Sequence, residues 1–393
     1  MSKSGGEFEL MNMKSYRSGG YKQQYEYKSF SPELVNHAWE ISDGEVMQLL
    51  SDADRALGEL NAFSQLVPDV DFFIRMHIAK EATQSTRIEG ARTNMQEALL
   101  EEKDVEPEKR DDWQEVQNYI QAINNAIQQL HSLPLSNRLL KDSHRILMQG
   151  VCGEQKQAGE FRNSQNWIGV SLKNAVFVPP HQDEVADLMS DLEKFLHNDQ
   201  IYVPHLIKIA IAHYQFETIH PFLDGNGRLG RLMIALYLAN FGLLHQPALY
   251  LSDYFERNKT EYVDRLMAVR EANKMKEWIV FFLHGVHETA SNSIQVFKDI
   301  LTLKEKLERE VLPHFTARRQ ENAQKLMLYL YQSPIVNIKT VSGLLDINVN
   351  TASDLVSDFV KHGVLAELSG KRRNRIFWFV DYIRIFRDKG AIE

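Results

Sequence analysis

A mainly α-helical fold carrying one small β-hairpin is what this chain predicts, and three observations carry the prediction. Apolar residues recur at three- to four-residue spacing through most of its length. Two short β-prone runs, Trp167–Val170 and Ala175–Val178, stand apart from that pattern with polar turn residues between them. A terminal region beyond Pro313 alternates short helical patterns with two more β-prone runs.

Length and composition set the bounds. At 393 residues, two or three domains are expected, and 44% hydrophobic with 25% charged residues is ordinary globular usage. A net charge of −8 argues against a chain built mainly for nucleic acid. The single cysteine, Cys152, permits no intramolecular disulfide and no cysteine metal cluster, which fits a reducing, cytoplasmic setting. No apolar h-region opens the chain, and the longest nearly apolar run, Leu232–Leu244, is too short to span a bilayer. The expectation is a soluble protein with no membrane partner.

Residues 1–28 are polar, with glycine pairs at Gly5-Gly6 and Gly19-Gly20, and read as a flexible lead-in. A helical region follows, 29–112. Val46, Leu49, Leu50, Ala53, Leu57 and Leu60 form one stripe, and Pro68 breaks it. Phe72, Phe73, Met76 and Ala79 begin a second stripe, which stops at Gly90, a residue suited to a helix C-terminus. Ser85 and Glu89 lie four apart and so share a face of that helix. Helical patterns resume at Trp113–Leu130 and Leu139–Gln149, with His144 and Arg145 read as surface or packing residues. The β-prone pair then forms a hairpin closed by Pro179-Pro180. Two more helices, Glu184–His197 and Val203–Glu217, lead to the stretch that organises the chain.

That stretch runs His220-Pro-Phe-Leu-Asp224-Gly225-Asn226-Gly227-Arg228-Leu-Gly230-Arg231. It places a candidate base, a candidate metal carboxylate, a glycine turn and two arginines just before an apolar helix. A glycine turn feeding a helix N-terminus is an anion site, through free N–H groups and the helix dipole. Arg228 and Arg231 share the face of its first turn, and paired guanidinium groups suit polyphosphate oxygens. Neutral histidine is the side chain best suited to accept a proton near pH 7. Gly225, Gly227 and Gly230 also satisfy a dinucleotide-loop spacing, but that loop needs a preceding strand and the residues before it read as helix. His213 and Glu217 have no third zinc ligand nearby, so they read as a packed core histidine and a structural hydrogen-bond partner.

The stretch resembles the Fic family motif at all nine of its fixed positions. The resemblance covers residues from about 30 to 300 and implies a Fic-type helical core that transfers AMP from ATP to a hydroxyl of a target protein. It implies His220 as general base, Asp224 as Mg²⁺ ligand, and Gly225, Asn226, Gly227, Arg228 and Arg231 as the phosphate site, with an Asn226 side-chain donor to phosphate. The adenine would lie near Tyr254 and Tyr262, although Val263 follows Tyr262 where family members often show a second tyrosine. Ser85-x-x-x-Glu89-Gly90 matches the family's inhibitory motif in its N-terminal arrangement, with Glu89 reaching Arg231. The hairpin resembles the family flap, so Ile168, Gly169 and Val170 would position an extended target segment. ATP, a hydroxyl-bearing Ser, Thr or Tyr target and self-modification are the implied partners and outcome. The related Doc branch implies phosphoryl transfer instead.

Residues 113–312 are thus the expected catalytic core and 313–393 a separate unit. The latter, with helical patterns at Ala323–Tyr331, Ile338–Leu345 and Thr351–His362 before two β-prone runs, resembles a winged helix. Lys371, Arg372 and Arg373 at its tip suit phosphate, but Asp354 and Asp358 on the would-be recognition helix oppose it. Protein contact or a homodimer is therefore expected ahead of DNA binding. A competing reading makes the chain a winged-helix transcription regulator whose core only senses nucleotide.

Overall fold

Two helices buried almost all round set the centre of the molecule, and the rest of the chain is layered on them. The computed structural model describes residues 10–13, 15–66, 70–151, 155–368 and 375–386. Strands β1 (Leu10–Asn12), β2 (Gly19–Gln23), β3 (Lys28–Pro32) and β4 (Ala38–Glu40) come first. Helices α1 (Gly44–Leu66), α2 (Val70–Ile88), α3 (Met95–Ala98), α4 (Arg110–Gln129) and α5 (Asn137–Leu147) follow. The hairpin β5 (Ile168–Gly169) and β6 (Ala175–Phe177) precedes α6 (Val185–His197), α7 (His205–Ile219) and α8 (Asn226–Asn240). Then come α9 (Ser252–Arg257), α10 (Lys259–Ala272) and the 36-residue α11 (Met275–Glu310). The terminal unit is α12 (Ala317–Gln332), β7 (Ile335–Asn337), α13 (Ile338–Leu345), α14 (Val349–Lys361), β8 (Leu365–Glu367), β9 (Ile376–Phe379) and α15 (Val380–Ile385).

The central pair is α7 and α8. Every residue from Leu206 to Ile219 is buried, and α8 buries Arg228 through Leu238 without a break. A helix that is apolar all round must be enclosed on every side. Here α6 covers α7, α4 and α5 cover α8, and α11 packs against α7. Trp278 of α11 is fully buried and its indole N–H donates to the Ala210 carbonyl at 2.8 Å. The long helix in turn carries α1 along its length.

Several sequence expectations change here. Residues 10–32, expected as a flexible lead-in running into helix, form β1 and the antiparallel β2–β3 hairpin, while β1 pairs in parallel with β4. Tertiary contacts impose this order: the Phe30 N–H donates to the Val178 carbonyl at 2.9 Å, and the Phe30 ring meets Phe177 at 5.8 Å. Trp278–Leu283 and the helix expected from Val286 are one element, α11. Strand β7 had no readable signal and completes the antiparallel sheet β7-β9-β8. The hairpin is as expected, with a bulge between Ile168 and Gly169. Helix α2 stops where Gly90 adopts φ +110°. The readings at Cys152, at Pro68 and at the basic tip 369–374 lie outside the described residues. Among the described residues, no helix is long and apolar enough to cross a membrane.

Candidate active site

His220 stands where α7 ends. It takes a left-handed backbone conformation, φ 51° and ψ 60°, and its N–H donates to the Phe216 carbonyl at 2.9 Å. A non-glycine residue there costs on the order of 1 kcal/mol and persists only when its surroundings insist. Arg162 supplies the insistence. It is 2% exposed, and its Nε donates to the His220 carbonyl at 3.0 Å while its Nη2 donates to the Pro180 carbonyl at 2.6 Å. Nη2 also lies 3.4 Å from the Ile219 carbonyl. The Asn166 amide donates to the His220 and Phe222 carbonyls at 3.2 and 2.9 Å. Orphan carbonyls of the helix end are thereby satisfied, and His220 is fixed relative to the residues just after β6.

The turn that follows is held from within. Asn226 accepts from the Phe222 N–H and donates to the Phe222 carbonyl, both at 2.8 Å, and is 2% exposed. Its side chain shapes the loop instead of offering a donor outward, which corrects the expectation of an amide aimed at phosphate. His144, expected as a packing or surface residue, is a strut: Gly159 N–H donates to its Nδ1 at 2.8 Å, leaving Nε2–H to donate to the Asp224 carbonyl at 2.9 Å. Its ring stacks on Phe222 at 3.9 Å, and burial pushes its pKa down to about 4. Gly225 sits at φ 71° as the N-cap of α8.

From that N-terminus the two arginines rise on one face, as their spacing predicts. Arg231 is 3% exposed and fully engaged: Nε donates to Ser85 Oγ at 2.9 Å, Nη2 to the Ser85 carbonyl at 2.8 Å, and Nη2 to Glu89 Oε1 at 2.8 Å. Ser85 and Glu89 thus meet Arg231 together. A methyl group added at Gly227 would overlap Glu89 Oε1, so the carboxylate rests directly on the first turn of α8. Burial alone would raise the Glu89 pKa, but Arg231, with Arg228 and His220 adding to it, holds it below the ordinary value. Arg228 is 4% exposed and its Nη1 pairs with Glu115 Oε2 at 3.2 Å, while its buried Nε has no hydrogen-bond partner among the described residues.

Asp224 is half-buried. Its Oδ1 accepts from the Gly225 N–H at 2.7 Å and its Oδ2 pairs with Lys156 at 2.9 Å. Burial works against the charge, but Lys156 and the Gly225 N–H lower the pKa overall, so the carboxylate is ionised at neutral pH. Among the described residues no three His, Cys, Asp or Glu side chains gather to hold a metal. A divalent ion at Asp224 would complete its shell with phosphate oxygens and water, a set that suits Mg²⁺. The unpartnered Nε–H of Arg228 suits the same phosphate. His220 itself is driven down to about pH 4, first by burial and then by Arg270 and Arg162, with Glu89 pulling the other way. Its imidazole is neutral at pH 7.

Of the two tyrosines, Tyr262 stands against this cluster beside Arg231, and Tyr254 lines a separate cleft. Tyr262 is 4% exposed and its hydroxyl donates to His213 Nε2 at 2.8 Å, while His213 Nδ1–H donates to the Gly230 carbonyl at 3.0 Å. It braces α8 from behind, and His213 is the packed core histidine expected. Tyr254 lines a cleft of about 440 Å³ with Arg265, Val280 and Phe281, and none of residues 220–231 lines it. On the flap, Val170 is 90% exposed and Ile168 partly so, open to an approaching chain. Glu217 departs from its expected role: burial raises its carboxyl to about 7, its Oε1 has no hydrogen-bond partner, and the backbone carbonyl is what accepts from Arg270, at 3.0 Å. Sequence reading missed Arg162, Arg270, Lys156 and Glu115, none of which stands within a recognisable spacing of the motif.

Comparisons with known proteins bear on the family and the fold. Residues 47–128 match the Fic/DOC family N-terminal model and residues 134–238 the Fic/DOC family model. A protein adenylyltransferase Fic of Aedes aegypti is 33% identical over 118 residues, 30% of this chain and 21% of that protein. Its counterpart in Drosophila erecta is 36% identical over 100 residues, 25% of this chain and 19% of that protein. The matched part is thus about a fifth of each relative's length. A Fic family protein from Desulfovibrio desulfuricans G20 superposes with a TM-score of 0.54 at 18% identity, covering 87% of this chain and 97% of that one. That likeness speaks for the fold. With the motif turn and the capped α7 inside or beside them, residues 47–128 and 134–238 of this chain are the N-terminal and Fic domains of the Fic/DOC family.

Proposed function

We propose that the chain is a protein adenylyltransferase, moving AMP from Mg²⁺-bound ATP to a Ser, Thr or Tyr hydroxyl of a target protein and of itself, and that Glu89 holds it inhibited. The observation that carries this reading is the seat of the Glu89 carboxylate. A protein anion lies on the first turn of α8, bound to a buried arginine, a few residues from a neutral histidine. A site that takes a carboxylate there takes a phosphate by the same N–H groups, dipole and guanidinium.

In the reaction, the target hydroxyl oxygen forms a bond to the α-phosphorus as the bond to the bridging oxygen breaks. Pyrophosphate leaves, and the hydroxyl proton passes to His220. Arg228 and the α8 N-terminus stabilise the phosphate charge, and Mg²⁺ on Asp224 would neutralise the leaving group. Glu89 occupies the Arg231 guanidinium that would otherwise grip the terminal phosphate, so ATP binds in a pose unsuited to in-line attack. We read 113–312 as the catalytic core and the helices and sheet of 313–393 as a winged helix for protein contact.

Labelled ATP tests the reading. Incubation with Mg²⁺ and a cell lysate should leave label from the α-phosphate on protein, found by mass spectrometry as added AMP. Label retained from the γ-phosphate instead would make the chain a Doc-like phosphotransferase. Neither label, with ATP bound, would make it a nucleotide-sensing regulator.

A further inference from the structure

We propose that Arg270 is a positioning residue that fixes the flap strand at a set distance from the His220 turn, so that a hydroxyl presented along the flap meets the imidazole. This rests on the proposed transfer reaction and names the group that aligns its two halves. Arg270 lies on α10, outside the motif, and is 7% exposed. Its Nε donates to Thr218 Oγ1 at 3.1 Å and its Nη2 to the Glu217 carbonyl at 3.0 Å. Both acceptors belong to the last turn of α7, directly before His220. On its flat face the guanidinium carbon sits 3.9 Å from the ring centre of Phe177, the last residue of β6. One planar group therefore touches the flap and the catalytic turn at once.

Phe177 also meets Phe30 of the β2–β3 hairpin, ring centres 5.8 Å apart. That hairpin is itself tied to α10, since Ser18 Oγ donates to the Arg270 carbonyl at 3.2 Å and Ser18 N–H to Asn273 Oδ1 at 2.7 Å. The ring cannot slide without breaking one of these contacts.

Ordinary packing does not explain an arginine here. Among the described residues no carboxylate lies within ion-pairing distance of Arg270, and a buried charge without one is costly enough that an apolar side chain would often fill the space more stably. What the guanidinium gains instead is directional: a helix-end carbonyl, a hydroxyl and a π face, arranged for a rigid fork. Lysine has no plane to stack and no fork to span both acceptors. The charge has a second effect. Arg270 from α10, Arg162 from the loop before β5 and Glu89 from the end of α2 are the charged groups that face His220, and the two cations help keep the imidazole neutral.

The test uses the full chain in the Glu89→Gly background, with R270M and R270K compared to their parent. R270M should keep ATP affinity within about twofold and lose about a hundredfold in kcat toward protein hydroxyls, since small misplacements cost that much. The His220 titration followed by NMR, and the acid limb of the rate profile, should move toward neutral pH. R270K should return the titration to the parental range but recover only part of kcat. A folded R270M with parental kcat and parental His220 titration overturns the proposal. Should R270M fail to fold, Phe177→Leu carries the same question: lowered kcat with unchanged ATP affinity and acid limb supports it, and parental kcat overturns it. A parent that binds ATP but moves no AMP contradicts the transfer reaction instead, and the His220 titration in R270M still decides the hold of Arg270 on the turn.

Discussion

His220 is asked to do two things that conflict, to sit in a strained left-handed conformation and to stay uncharged beside solvent. The carbonyl contacts of Arg162 and Asn166 answer the first, and burial with two facing cations answers the second. His220→Ala should therefore abolish transfer while ATP affinity, measured by calorimetry, changes little, because the phosphates are held by other groups. Loss of both together would contradict that division of roles. Asn226→Ala should behave differently. It strips two hydrogen bonds from Phe222 inside a closed loop and should cost about 1–3 kcal/mol of stability in chemical unfolding. Glu89→Gly should raise transfer by orders of magnitude, since it frees Arg231 for phosphate. Arg231→Ala should not mimic it, for it removes the phosphate ligand along with the inhibitor's anchor. The double variant should match Arg231→Ala, and equal rates for Glu89→Gly and the unaltered chain at saturating ATP would reduce Ser85–Gly90 to a helix end.

At the scale of elements, the flap is where local backbone chemistry and function coincide. Gly169 holds φ +128°, and a side chain there would press on the Val176 backbone within 2.9 Å. Gly169→Val should distort the β5–β6 pairing and raise the target KM with ATP binding intact, read from steady-state rates against a fixed protein acceptor. Elements of this kind were legible from sequence because their signals are local. The 220–231 turn, the α2 stop at Gly90, the spacing of Ser85 and Glu89 and the β-prone runs of the hairpin each lie within a dozen residues. What stayed hidden is long-range. Arg162 and Arg270 carry no local signal until the fold brings them to the end of α7, 57 and 52 residues away in sequence. The β2–β3 hairpin has little apolar patterning of its own and takes its order from Phe177 and Val178. Tyr262 shows the converse failure: its place in the sequence pointed to adenine, while its hydroxyl serves His213 in the core.

The whole molecule carries an acid liability and a coupling that no single element shows. His77, His144, His213 and His220 are held down to about 3, 4, 3 and 4, in each case chiefly by burial. In the unfolded chain each would titrate near 6.5, so between pH 6.5 and about 4 the unfolded state binds more protons and stability falls as pH drops. Glu217, raised to about 7, acts in the opposite sense, as do Asp54, Glu81 and Glu115, which burial also raises, but with His205 lowered too the histidines are five against four carboxyls. The urea midpoint should fall between pH 7 and pH 5. The coupling lies behind α2, the helix we propose to inhibit. Helix α12 packs on α2, and Phe386, just past α15, sets its ring edge-on to His77 at 5.3 Å. His77 is 7% exposed and belongs to the same helix that carries Ser85 about two turns later. The terminal unit thus packs on α2 about two turns before Ser85, and removing it would bare buried apolar surface there. Ending the chain after residue 313 should leave the phosphate site whole and self-modification measurable. It should also loosen α2, so transfer by the truncated but otherwise unaltered chain should rise above the full-length rate, while Glu89→Gly should show no such gain on truncation. A folded truncation that is catalytically silent even with Glu89→Gly would instead mean that the terminal unit completes the active site.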